Sequence, residues 1–325
     1  MIAEAQLVFN LVWTGTVFDH LQVFVLSQMA QSDARFRFIA NACPPEQIAK
    51  IERFADRFPD RITDVVVASP HQMIRHGDCL EAIRTSTDDG PCFSLVDVDI
   101  IARGPFLSPY LELLADGAAA VTAGREVWST TNTMPVDHPG VNGEYFFDHD
   151  GFVFGSPHFA VYDRAALDET CERWSVGFAI AGNDVPDEAR ARMAEIGRDY
   201  WVYDTAKVLN ILLQADGRRL VHTEHPDLVH IGGVSHFLAP PPAVTEIGEE
   251  TTAAWWQTAD WGEWDGMADR FAVARFTAAV IQAAVGGEDI PVLPAAVDPA
   301  VADRLDEVTR AIVETVERYG PEAER

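Results

Sequence analysis

An α/β protein built on a mostly parallel, doubly wound sheet is the fold class this chain predicts, and three observations carry the prediction. Strand-like apolar runs and amphipathic helical runs alternate four times within the first hundred residues. One run, Phe93-Ser94-Leu95-Val96, is apolar on both faces and ends abruptly in Asp97-Val98-Asp99, the pattern of a central buried strand reaching a rim. At 325 residues and 48% hydrophobic content, the chain is long and apolar enough to bury a sizeable core.

The elements follow in order. Residues 6–13 (QLVFNLVW) read as the first strand and Thr14-Gly15-Thr16 as a tight turn. Residues 17–30 then place Phe18, Leu21, Val25 and Met29 at helical spacing. Residues 35–40 alternate as a second strand, Pro44-Pro45 opens a helix running to Phe58, and 62–68 form a third strand. A helix over 73–85 leads to the strand that ends in the two aspartates. Beyond it come a helix at 110–114 and a strand at 118–123. The polar stretch 124–150 holds Trp128, Asn132, His138, Tyr145 and Asp148-His149-Asp150; a loop of that length is usually functional, and it reads as an acceptor-side loop, with His149 in a solvated turn. Residues 151–167 read as a strand, a break and a second strand entering a helix, and 186–196 as an acidic helix. Asp204 sits where the next helix begins, with Val208, Leu209, Ile211, Leu212 and Leu213 on its buried side and Gly217 at its close.

Side chains alternate along a strand, so Asp97 and Asp99 are expected to converge just past the sheet. Two close carboxylates repel each other, and a divalent cation relieves that repulsion. The bland alternative is that one caps a turn while the other is solvated. In doubly wound sheets ligands bind beyond the carboxyl ends of the strands, which puts Thr14-Gly15, Asn41, Ser69 and Asp97/Asp99 on one rim. Residues 220–236 carry His222, His225, His230 and His236, four of the ten histidines, and that density beside a metal strand favours at least one as a ligand.

Three segments together resemble the GT-A fold of nucleotide-sugar-dependent glycosyltransferases, most closely the large inverting family 2, across residues 6–236. LVDVDI looks like that family's Asp-x-Asp strand, and GFVFGSPHFAVYDRAALDETCERWSVGF like its Gly-rich acceptor segment. YDTAKVLNILLQADGRRL is similar to the segment carrying its catalytic aspartate, with Asp204 in that position and Tyr203 replacing the acidic residue that usually precedes it. LVHIGGVSH resembles its late His-x-x-Gly-x-Ser piece, with His230 placed to close on metal and diphosphate. A late His followed by glycine also occurs in retaining GT-A enzymes, so stereochemistry stays open. The resemblance implies a GT-A domain over 1–239, with 1–103 as its nucleotide-binding half and 104–239 as its acceptor and catalytic half. It implies a sugar nucleotide as donor, UDP-linked first among them, and a hydroxyl acceptor that is a small molecule or glycan. Asp97, Asp99 and His230 would hold the metal and Asp204 would act as general base. Oxygen-rich ligation with at most one imidazole suits Mn²⁺ or Mg²⁺ better than Zn²⁺. Thr14, Gly15 and Asn41 are placed to meet base and ribose, and Arg75 to reach the nucleotide, unless it is an exposed helix-end arginine.

Charge excludes other classes. The net charge of −27, from 51 acidic against 24 basic residues, repels phosphate backbones and anionic lipid. No Gly-x-Gly-x-x-Gly or Walker A sequence is present. No basic leader and no run of 18 apolar residues appears, and the four cysteines are widely spaced, so a cytoplasmic location with reduced thiols is expected. Pro240-Pro241-Pro242 marks a boundary; beyond it 240–325 reads as a helical extension with helices at 267–284 and 299–319, and Trp255, Trp256, Trp261 and Trp264 read as anchoring the tail or building a homodimer contact, with stacking on an acceptor sugar as the alternative. Two rival classes stand beside the transferase: a metal-dependent phosphatase with Asp97 as nucleophile and Lys207 as its lysine, and a noncatalytic sugar-nucleotide-binding protein.

Overall fold

The structure is a computed structural model, and it describes residues 2–129, 131–134, 136, 145–198, 204–238, 267–293 and 298–323. Its strands are β1 (Val8–Thr14), β2 (Arg35–Asn41), β3 (Ile62–Ser69), β4 (Cys92–Val96), β5 (Ile100–Ala102), β6 (Ala118–Ala123), β7 (Phe159–Asp163), β8 (Arg219–His222) and β9 (Leu228–His230). Seven of them form one sheet in the order β3-β2-β1-β4-β7-β6-β8, and β5 pairs with β9 in a separate antiparallel ribbon. The expectation of a mostly parallel sheet holds, with one exception. β7 runs antiparallel to both β4 and β6, while the other pairings of the large sheet are parallel.

Helices cover both faces. α1 (Phe18–Gln31), α2 (Pro45–Arg57) and α4 (Ser108–Ala115) bury Phe24, Phe54 and Tyr110 in one core; α3 (His76–Ser86), α5 (Arg164–Trp174), α6 (Asp187–Glu195) and α7 (Lys207–Ala215) bury Leu80, Leu167, Met193 and Leu212 in the other. The first core is rich in ring contacts: Trp13 and Phe18 meet edge to face at 4.8 Å, and Phe18 and Phe54 at 5.4 Å. All four cysteines are buried and free, and burial pushes their thiols up, Cys43 to about 11 and the other three to about 12. They are packing residues.

The short α8 (Ser235–Leu238) precedes the two C-terminal helices, α9 (Met267–Gly286) and α10 (Pro299–Ala323). Val273, Val280 and Ile281 of α9 and Val301, Leu305, Val308 and Ile312 of α10 join the same buried cluster as α1. Their apolar faces are therefore used within the chain, and nothing among the described residues supports the homodimer contact expected there. The four tryptophans of 255–264 lie outside the described residues. No helix among the described residues is long and apolar enough to cross a membrane.

Because Leu305 is fully buried between α10 and the core shared with α1, Leu305→Ala should lower the unfolding free energy by about 2–5 kcal/mol. Urea denaturation followed by circular dichroism checks this. A loss below about 0.5 kcal/mol would mean that α10 is not part of the cooperative unit.

Candidate functional site

The reversed strand decides what meets at the rim. Val96, the last residue of β4, pairs with Phe159, the first of β7, and Phe159 also pairs with Ala123, the last of β6. The start of β7 therefore lies beside the ends of two neighbours. The Asp97 backbone N–H donates to the His158 carbonyl at 2.7 Å, carrying the β4–β7 ladder one step past the sheet. Asp97 to Asp99 do not continue the strand, as alternation suggested; they form a turn between β4 and β5. The two carboxylates face different imidazoles.

Asp97 Oδ2 is 3.0 Å from His158 Nδ1, and the other ring nitrogen, Nε2, is 2.8 Å from Glu126 Oε1. Asp99 Oδ1 is 3.3 Å from His230 Nε2, while His230 Nδ1 is 2.7 Å from the Gly124 carbonyl, to which it donates. The rings of His158 and His230 lie 4.2 Å apart at 39°. Asp97, His158 and His230 each offer a ligand atom within 4.8 Å of the others, a grouping that can hold a metal ion. Gly232 allows the close approach. Its φ is +82°, and a Cβ there would stand 2.6 Å from Glu126 Cγ, so no other residue lets the loop after β9 pass over Glu126.

The electrostatics of the cluster are tightly coupled. Burial opposes a charged His158, yet Glu126 and Asp97 push it up to about 10. Burial likewise disfavours ionised Asp99 and Glu126, but His230 and His158 hold the first, and His158 the second, below the usual carboxylate range. Glu126 is only 4% exposed, and its Oε2 has no hydrogen-bond partner among the described residues. Carboxylates thus outnumber the imidazoles that face them, and the chemistry of the donor set fits a divalent cation.

On the far side of Asp97 stand His76, Asp204 and Lys207. His76 Nε2 is 3.9 Å from Asp97 Oδ1 and its Nδ1 is 3.1 Å from Thr205 Oγ1; burial lowers its pKa. Asp204 does not open a helix. α7 begins at Lys207, preceded by Ala206 in the left-handed region at φ 67°, and Asp204 Oδ1 accepts the Thr205 N–H at 2.9 Å. Burial raises the Asp204 pKa, with Lys207 opposing from 3.5 Å. Lys207 is fully buried and donates to the carbonyls of Tyr145 (3.0 Å) and Gly155, and burial lowers its pKa. Among the described residues those partners hold its ammonium on the Asp204 side, with no hydrogen bond or ion pair to Asp97, the nucleophile of the phosphatase alternative.

Thr14 ends β1, and Gly15 turns the chain at φ 52° on the same rim. Asn41 ends β2, with its amide committed: Nδ2 donates to the Ile74 carbonyl at 2.8 Å and Oδ1 accepts the Ile74 N–H at 3.0 Å. Arg75, just before α3, pairs with Asp78 at 2.8 Å. His222 is held by Thr122 and Glu224, and His225 Nδ1 accepts the Asp227 N–H, so His230 is the member of that group in the cluster; the His236 side chain lies outside the described residues. Sequence reasoning missed His158 and Glu126. The one signal was His158 opening the apolar run of β7, a position that matters only once that strand is known to be reversed.

No protein-family model and no curated protein matches the chain. Among solved structures it resembles the mannosyltransferase PcManGT from Pyrobaculum calidifontis in complex with GDP-Man and Mn²⁺, at 14% identity and TM-score 0.44, over 97% of this chain and 73% of that one. It also resembles residues 1–349 of S. aureus TarS, at 9% identity and TM-score 0.43, over 96% and 91% of the two chains. A third is 4-diphosphocytidyl-2C-methyl-D-erythritolsynthase from Anaerococcus prevotii DSM 20548, at 10% identity and TM-score 0.37, over 70% and 91%. At these identities and scores the likeness decides neither activity nor ligand.

With its pKa raised to about 10, His158 stabilises the metal-free fold fully below pH about 6.5, and that stabilisation is lost as pH rises toward 10. Side-chain NMR of chelator-treated protein should find the ring still protonated at pH 8, and Glu126→Gln should lower its midpoint. A wild-type midpoint near 6.5 would contradict the charge balance described.

Proposed function

We propose that the chain is a metal-dependent glycosyltransferase of GT-A type. It would move a sugar from a nucleoside-diphosphate sugar, UDP-linked in the first instance, to a hydroxyl of a small-molecule or glycan acceptor. The observation that carries this reading is the convergence of Asp97, His158 and His230 at the strand-end rim, on the Asp-Val-Asp segment that resembles the family's metal strand. Asp97 and His230 would hold the cation, with Asp99 beside His230. Bound there, a divalent ion such as Mn²⁺ or Mg²⁺ supplies electrostatic stabilisation for charge developing on a departing diphosphate.

The chain's own residues divide the remaining work. Asp204 is the candidate base for the acceptor hydroxyl, because it occupies the position of the family's catalytic aspartate and burial raises its pKa, which makes its carboxylate a better proton acceptor. Lys207, fixed by two carbonyls, positions it. Residues 1–103 would form the nucleotide side and 104–239 the acceptor side, with the segment from 240 as a helical extension. On the nucleotide side Thr14 and Gly15 lie at the rim where the base and ribose would sit. Asn41 and Arg75 would act through shape, since Asn41 ties β2 to the segment before α3 and Arg75 holds Asp78.

Calorimetric titration with UDP and GDP, with and without Mn²⁺, tests the reading. One nucleotide should bind only with metal, and Asp97→Asn should abolish that binding; no nucleotide bound under any metal condition sinks the proposal. With a donor in hand, Asp204→Asn should reduce kcat by about 10²- to 10⁴-fold while leaving nucleotide affinity within about twofold. An unchanged kcat would remove Asp204 as the base.

A further inference from the structure

We infer that His158 is itself a metal ligand, and that its pairing with His230 makes this a two-imidazole site suited to a borderline transition ion, of the Co²⁺ or Zn²⁺ class, over Mg²⁺. The inference rests on the metal-site reading above and changes its ligand set and its ion.

The geometry repeats itself at the two histidines. Each ring has one nitrogen on an outer partner: Glu126 Oε1 at 2.8 Å for His158, and the Gly124 carbonyl at 2.7 Å for His230. Each has its other nitrogen turned to an aspartate of the same turn: Asp97 at 3.0 Å and Asp99 at 3.3 Å. An outer carboxylate or carbonyl that fixes one nitrogen, leaving the second for the ion, is how ligating histidines are generally oriented. The 3.0 Å between Asp97 Oδ2 and His158 Nδ1 matches two ligands at about a right angle around one ion when each bond is about 2.1 Å. The orphaned Glu126 Oε2, buried behind the ring, supplies charge that an ion on the other side would balance. Imidazole donors suit Zn²⁺, Co²⁺ and their neighbours, whereas Mg²⁺ takes oxygen and keeps its water. One imidazole among oxygens fits the expectation of Mn²⁺ or Mg²⁺; two move the preference.

The test uses the full chain, stripped with chelator and loaded with single metals. Electron spin-echo modulation on the Mn²⁺-loaded protein should count two coordinated imidazole nitrogens in wild type, one in His158→Asn and one in His230→Asn. Equilibrium dialysis should show Co²⁺ bound at least about 100-fold more tightly than Mg²⁺. Glu126→Gln, which leaves both rings in place, should weaken Co²⁺ binding by about 10- to 100-fold. This second variant keeps the test decisive if His158→Asn folds poorly. A single coupled nitrogen in wild type, or Co²⁺ affinity untouched by Glu126→Gln, overturns the role of His158 and leaves the metal site standing. Absence of any stoichiometric metal in wild type overturns both.

Discussion

The insertion of β7 antiparallel between β4 and β6 sets the beginning of one strand beside the ends of two others, and the charged groups of the rim are positioned by that reversal. In a wholly parallel sheet the residue before a strand lies at the opposite edge from the residue after its neighbour. Here His158 and Asp97 are joined by a backbone hydrogen bond and then by their side chains. Glu126, three residues past β6, closes on the same ring. The β5–β9 ribbon adds the last member, since the pairing of Ile100 with His230 fixes the imidazole against Asp99.

A cluster assembled this way is short of positive charge, and the surrounding chain responds to that shortage. Lys207, one of only two lysines in the sequence, is buried on the Asp204 side, where carbonyls and a carboxylate surround its ammonium group. Desolvating it is costly, and without Asp204 and the carbonyls the buried charge would stand unpaired. Asp204, His76 and Asp97 thus form a second row of polar groups beside the histidine pair.

How much of this the sequence discloses follows from the range over which each signal acts. Helices and strands were legible because apolar period is local, and α1, α2 and β4 lie within a few residues of where their patterns begin and end. Asp97, Asp99, His230 and Asp204 could be singled out because each sits in a short motif. His158 was not, because what makes it matter is contact with residues 61 and 32 positions away, across a strand whose direction no local pattern records. Asp204 was placed at a helix start by the same local logic, but a left-handed Ala206 delays the helix to Lys207. Asn41 was read as meeting base and ribose, and Arg75 either as reaching the nucleotide or as an exposed helix-end arginine; the structure adds what no local pattern carries, that Asn41 bonds the Ile74 backbone and Arg75 pairs with Asp78.

Arg304 of α10 donates to the carbonyls of Glu126, at 2.5 Å, and of Ser129, so the stretch that carries Glu126 is held from a point 178 residues further along the chain. On the ribosome, where the amino-terminal part is exposed first, β4 and β7 can bring Asp97 and His158 together long before that arginine has been made. A chain cut ahead of α10 therefore loses two of the contacts that hold the Glu126–Ser129 stretch beside the histidine pair.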